Sequence, residues 1–279
     1  MMDEKYIMIS EKPLIKLRHV FFECKEEQYK HRIIVMIPGW LGNIEGILPL
    51  IEHFQKFASV ISYDPRGHGK SSKPHKRGLY RPSIISKEFA KIIEHYKLKE
   101  SEFYVWGSCA GIEIGYLYLI EKLGPKPKAF LAASPDYKNN TKWWFNPLKI
   151  LPYPLFWLFY KLFFFFLNVY LKFKNPSEQR TLQKSKARIM NMDLYPLFRF
   201  LFEFIHDYDI RGREEKLDVP QIILYAQGDW FTKPENSMKL VQYHPDSELV
   251  NMGDVHRVYA GREEEVAQHV KKFIDKLEL

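Results

Sequence analysis

A chain of 279 residues is long enough for one large α/β domain, with or without an inserted subdomain, and buries enough surface to need no disulfide or metal staple. Hydrophobic residues at 46% and charged residues at 27% exclude a disordered or fibrous class, and the 16% aromatic share is high. The net charge of +8 favours anionic partners, but no nucleic-acid motif accompanies it and nucleic acid is not expected as one.

The opening MMDEKYIMIS lacks a basic stretch followed by an apolar one, and the cysteines, Cys24 and Cys109, show no pairing pattern. Both features lead us to expect a reducing, cytoplasmic compartment. Tyr6 to Glu23 fits an antiparallel hairpin at a sheet edge. Six short apolar runs then stop at turn signals: Ile33 to Ile37, Ser59 to Tyr63, Phe103 to Trp106, Ala129 to Ala133, Gln221 to Tyr225 and Glu248 to Asn251. Such runs are strands buried on both faces of a parallel sheet. Between them lie helical patterns, from Ile44 to Phe57, Ser83 to Tyr96, Cys109 to Leu123, Lys233 to Tyr243 and Glu263 to Leu277. The alternation predicts an α/β fold built from βαβ units, a mostly parallel twisted sheet of about eight strands flanked by helices. Three regions follow: residues 1–136 and 213–279 in this style, and 137–212 dense in aromatic and basic side chains.

Val105-Trp106-Gly107-Ser108-Cys109-Ala110-Gly111 joins a predicted strand to a predicted helix. G-x-S-x-G in that setting is a nucleophile elbow, with glycines because the turn is too tight for a side chain. Here cysteine holds the centre, and Ser108 stands one place too early. The N-terminus of the following helix, and a histidine beside it, would lower the thiol pKa, so an active Cys109 is expected to alkylate well below pH about 8.5. A thiol titrating at or above its free value would instead favour a catalytically silent protein.

From Ile33 to Gly111 the chain resembles the α/β-hydrolase superfamily. Asp64-Pro65-Arg66-Gly67-His68-Gly69-Lys70-Ser71-Ser72 is similar to the D-x-R-G-x-G-x-S turn of its epoxide hydrolase, haloalkane dehalogenase and C–C hydrolase branch. The G-x-C-x-G elbow resembles those of polyhydroxyalkanoate synthases and dienelactone hydrolases. In this fold the triad runs nucleophile, acid, histidine. Gly228-Asp229 after the Gln221 to Tyr225 strand then implies Asp229 as the acid, and Gly253-Asp254-Val255-His256 implies His256 as the base. Asp136 and Asp254 are fallback acids, and His68 and His244 weaker histidines. Two backbone N–H groups, of Ala110 and Trp40, are expected to form the oxyanion hole. Pro38 stands where the family often has histidine. No cofactor or metal is expected.

The resemblance implies an inserted helical cap at 137–212. It contains Trp143-Trp144-Phe145 and an aromatic run from Leu155 to Leu171. Three readings compete: a cap lining a substrate pocket, a helix resting in a membrane interface, and a transmembrane span. The first assigns pocket roles to Trp143, Trp144, Phe156, Trp157, Phe163 and, from the core, Trp230. The first two imply a lipophilic acyl substrate. A thiolate is a better leaving group than an alkoxide, so cysteine favours thioesters, acyl-CoA among them, or activated esters. The expected activity is an acyl hydrolase or acyltransferase with a Cys109 acyl-enzyme. The alternative is a silent protein of the same fold that binds lipid, membrane or a protein partner.

Overall fold

The structure is a computed structural model that describes residues 4–138, 150–171, 193–229 and 231–279. Its eight strands are β1 (Lys5–Glu11), β2 (Leu14–Phe22), β3 (Ile33–Ile37), β4 (Ser59–Tyr63), β5 (Phe103–Ser108), β6 (Ala129–Ala133), β7 (Gln221–Tyr225) and β8 (Glu248–Asn251). They form one sheet in the order β1-β2-β4-β3-β5-β6-β7-β8. β1 and β2 form the antiparallel edge hairpin, β2 pairs antiparallel with β4, and every later pairing is parallel.

The apolar runs are continuous because both faces of the sheet are covered. Val35, Ile37 and Val105 point to one buried cluster, where α2 (Pro82–His95) and α3 (Ala110–Ile120) pack. Ile34, Met36 and Trp106 point to the other, shared with α1 (Ile44–Phe54) and the C-terminal helix Glu263–Leu277. Each such side chain contributes about 1.5–3 kcal/mol on burial. Asn43 caps α1 by accepting the Gly46 N–H at 2.8 Å, and Pro82 opens α2, where a missing N–H costs nothing.

Three helices end three residues before their patterns do. The run expected to reach Phe57 stops at Phe54, and the run to Leu123 stops at Ile120, just before Lys122 takes a left-handed φ of 52°. The Lys233 to Tyr243 pattern splits into Pro234–Leu240 and a 3-10 turn, Val241–Tyr243. Between β6 and β7 come α4 (Tyr153–Leu171) and α5 (Leu194–Phe200), the latter running into a π-helical turn, Leu201–Ile205. Among the described residues no helix is long and apolar enough to cross a membrane.

Candidate active site

The parallel strands all end at one edge of the sheet, and the elbow stands there. Cys109 closes β5 with φ 50° and ψ −123°, a conformation L residues rarely adopt, and α3 begins at the next residue. The strain is held by backbone packing. The Cys109 N–H donates to the Ala133 carbonyl on β6 at 2.8 Å. A Cβ on Gly107 would strike the Ile112 backbone, and one on Gly111 would strike the Ile37 carbonyl. Gly39, in the turn before Trp40, meets the Ser108 carbonyl just as closely. The β3 turn and the elbow are therefore seated directly against each other. The Trp40 indole N–H donates to the Leu197 carbonyl at 3.0 Å, tying that turn to α5.

Asp229 and His256 meet across two loops. The His256 Nδ1 donates to Asp229 Oδ2 at 2.6 Å. Because a carboxylate only accepts, this fixes the proton on Nδ1 and leaves Nε2 free to take one. The other carboxylate oxygen holds its own turn, accepting the Phe231 N–H at 2.8 Å and the Thr232 N–H at 3.0 Å. An aspartate after a strand is often only a turn residue; this one is that and a histidine partner at once. Desolvation opposes its charge, but hydrogen bonds from His256 and Thr232 outweigh it and hold the carboxyl below its ordinary value. Phe231 stacks edge-on to the His256 ring at 5.1 Å, and the Ser134 hydroxyl donates to the His256 carbonyl at 2.9 Å.

Thr232 was not visible as a site residue in the sequence. Its hydroxyl donates to Asp229 Oδ2 at 2.5 Å and lies 3.4 Å from His256 Nδ1. The signal was Asp-x-x-Thr after a strand, which forms a side-chain-to-backbone turn. Glu113 was missed as well. It is buried one turn along α3 from Cys109, the one charged residue in the sequence of an otherwise uncharged helix.

The thiol departs from expectation. Cys109 is buried, and burial, then the Glu113 carboxylate, push its pKa well up, with Asp136 and Asp229 adding to the effect. The Ala110 N–H bonds to the sulfur and pulls the other way, but does not win. A helix N-terminus offers about 0.3–1 kcal/mol, less than a full desolvation costs a thiolate. The resting group is a neutral thiol. Cys24 is also a free, buried cysteine, its thiol donating to the Glu26 carbonyl at 3.4 Å.

Of the fallback residues only Asp136 is close enough to act electrostatically on Cys109 and Asp229. Asp136 is buried after β6, its Oδ1 accepting from Asn236 Nδ2 at 2.6 Å and from the Lys138 N–H at 3.1 Å, and desolvation raises its pKa to about 6. Asp254 is exposed, and His244 accepts the Asp246 N–H at 3.2 Å in the loop before β8. His68 is buried inside the signature turn, donating to the Arg66 carbonyl at 3.1 Å. Among the expected pocket residues, Phe156 is buried against Tyr195 and Phe198, with ring centroids 5.3 and 4.8 Å away. Trp157 is exposed, its N–H donating to Tyr153 Oη at 2.7 Å and the Lys161 ammonium lying over its ring. Trp143, Trp144 and Trp230, and the Phe163 side chain, lie outside the described residues.

A strained turn at the end of the fifth strand, with an acid after the seventh and a histidine after the eighth, has a family. The model described as "alpha/beta hydrolase fold" matches residues 32–257. The chain belongs to the alpha/beta hydrolase fold family. No curated protein sequence matches it. In structure this alpha/beta hydrolase is similar to a hydrolase from Pseudomonas aeruginosa PA01, with TM-score 0.75 and 14% identity over 98% of each chain. It is similar to the enol-lactonase from Burkholderia xenovorans LB400, with TM-score 0.74 and 16% identity over 97% of this chain and 100% of that one. It also resembles the esterase EaEST from Exiguobacterium antarcticum, with TM-score 0.71 and 15% identity over 99% of both chains. Identities this low carry the fold alone.

Proposed function

We propose that this alpha/beta hydrolase is an acyl hydrolase or acyltransferase that works through a Cys109 acyl-enzyme on a lipophilic ester or thioester. The observation that carries the reading is the 2.6 Å bond from His256 to Asp229, together with a strained elbow that carries a cysteine at its centre. The esterase and enol-lactonase neighbours fit the same class of chemistry.

Because the resting thiol is neutral, His256 acts as a general base during attack rather than as the partner of a standing thiolate. Nε2 takes the Sγ proton as sulfur bonds to the acyl carbon, and the carbonyl electron pair moves to oxygen. The N–H groups of Ala110 and Trp40 hold that oxyanion. Collapse expels the alkoxide or thiolate, which receives the proton from His256. Water or another acceptor then gives a proton to His256 and takes the acyl group, freeing the thiol. Asp229 stabilises the imidazolium throughout. The β6–β7 segment acts as the cap and its aromatic interior receives the acyl chain.

A series of acyl-CoA and p-nitrophenyl esters, with intact-mass detection of an adduct, tests this. The expected result is turnover and an acylated protein, both lost in Cys109→Ala. No adduct and no Cys109-dependent turnover across all chain lengths would sink the reading. The raised thiol pKa is the one observation that favours a silent, lipid-binding protein. Slow alkylation at neutral pH is common to both readings now, so turnover is the measurement that separates them.

A further inference from the structure

The helix α4 presents its apolar face to water. Leu155, Leu158, Phe159, Leu162, Phe165 and Phe166 are all exposed, Phe165 and Phe166 by 61% and 63%. Their spacing is that of one helical stripe, the pattern that normally marks the side turned to the core. Here the core side is the one carrying Phe156, which packs on Tyr195 and Phe198. A stripe this long on a helix surface is an interaction site rather than ordinary surface scatter.

Charge identifies what covers it. Residues 137–192 hold ten lysines and arginines and one acid, Glu178, while the rest of the chain is close to neutral. The protein's whole positive excess thus belongs to the segment that carries the stripe. A second copy docking face to face would bring two such segments together and repel. An anionic bilayer surface suits both features, the net positive charge of the segment and the apolar stripe.

The helix is also tied to the catalytic end of the sheet. Tyr153 lies 4.9 Å from both the His75 and Tyr195 rings, and Arg77 donates to the Ile150 carbonyl. We propose that α4 is a membrane-docking helix that seats this protein on anionic lipid with its sheet edge towards the bilayer. The docking does not depend on the Cys109 reaction.

Co-sedimentation of the full chain with vesicles tests it, comparing phosphatidylcholine alone with phosphatidylcholine containing a third phosphatidylglycerol, at low and high salt. The expected result is binding to the anionic vesicles that weakens with salt and falls more than tenfold in Leu158→Ser/Phe165→Ser/Phe166→Ser. Wild type remaining in the supernatant, or the triple variant binding equally, would overturn the proposal. A thermal melt shows whether the triple variant folds. If it does not, Phe166→Cys carrying an environment-sensitive dye replaces it. A blue shift on anionic vesicles supports docking; no shift, or a shift that follows protein concentration without lipid, overturns it.

Discussion

The turn after β4 and the turn after β7 are built on the same device, an aspartate whose carboxylate accepts backbone N–H groups. Asp64 Oδ1 accepts from Ile44 N at 2.8 Å, and Oδ2 from Lys70 N at 2.9 Å and Arg18 Nη1 at 3.1 Å. Both oxygens are committed to holding α1, the signature turn and a buried guanidinium. Asp229 closes its turn with Oδ1 alone and leaves Oδ2 to His256 and Thr232. Residue type and place after a strand are shared. The function of each is decided by which groups face its second oxygen.

The sharpest way to break this comparison is to remove one charge at a time. Asp229→Asn keeps an oxygen for the turn but turns an amide towards Nδ1, forcing the imidazole proton onto Nε2. Turnover on the best acyl substrate should fall by about 10⁴-fold with the melting temperature nearly unchanged. A fall of less than tenfold would mean His256 needs no orienting acid. Asp64→Asn should do the reverse. Arg18 would keep only Glu4 and the part-exposed Glu45, at a cost of about 3–5 kcal/mol, or a melting point lower by about 10 °C. The folded fraction should turn over within about twofold of wild type, measured by active-site-normalised rates beside a thermal scan.

That division bears on how much the sequence could reveal. The strands were legible because a sheet covered on both faces needs unbroken apolar runs, as at Ile33–Ile37. The elbow was legible because Gly107 and Gly111 touch backbone, which no other residue can do. Asp229 and His256 followed from their order. What stayed hidden depends on three-dimensional neighbours. The thiol pKa was expected low from the helix end, but burial and Glu113 decide it. Trp157 was expected to line a pocket as part of the cap, but α4 is apolar nearly all round, and such a helix does not show in sequence which side meets water.

The turn after β4 holds a histidine of its own, and pH tests what its burial contributes. His68 is buried in the β4 turn beneath Phe200, ring centroids 4.7 Å apart, and burial lowers its pKa to about 4. The unfolded chain has the ordinary value of about 6.5, so between these values it binds the proton that the folded chain refuses. Stability from this group is therefore complete above about pH 6.5 and is lost as pH falls towards 4. The loss reaches about 3 kcal/mol. Urea unfolding at pH 7, 5 and 4 should show it, and His68→Gln, which can still donate to the Arg66 carbonyl, should flatten the difference. An unchanged slope in that variant would assign the acid sensitivity to other groups.

The smallest effect tests the finest part of the contrast, the hydroxyl that the second turn has and the first lacks at the histidine. Thr232→Val keeps the shape and the backbone N–H to Asp229 Oδ1 but removes the 2.5 Å donor to Oδ2. A hydrogen bond to a charged group is worth about 1.5–3 kcal/mol, and Asp229 retains His256 and two backbone donors, so the lower end applies. We expect kcat/KM about tenfold lower. Without that donor the carboxyl pKa rises towards its ordinary value, because the Thr232 hydrogen bond is among the causes that lower it. The acid limb of the pH–rate profile should shift upward in the same variant. A lower rate with an unshifted profile would make Thr232 a packing residue only, and the second oxygen of Asp229 would then belong to His256 alone.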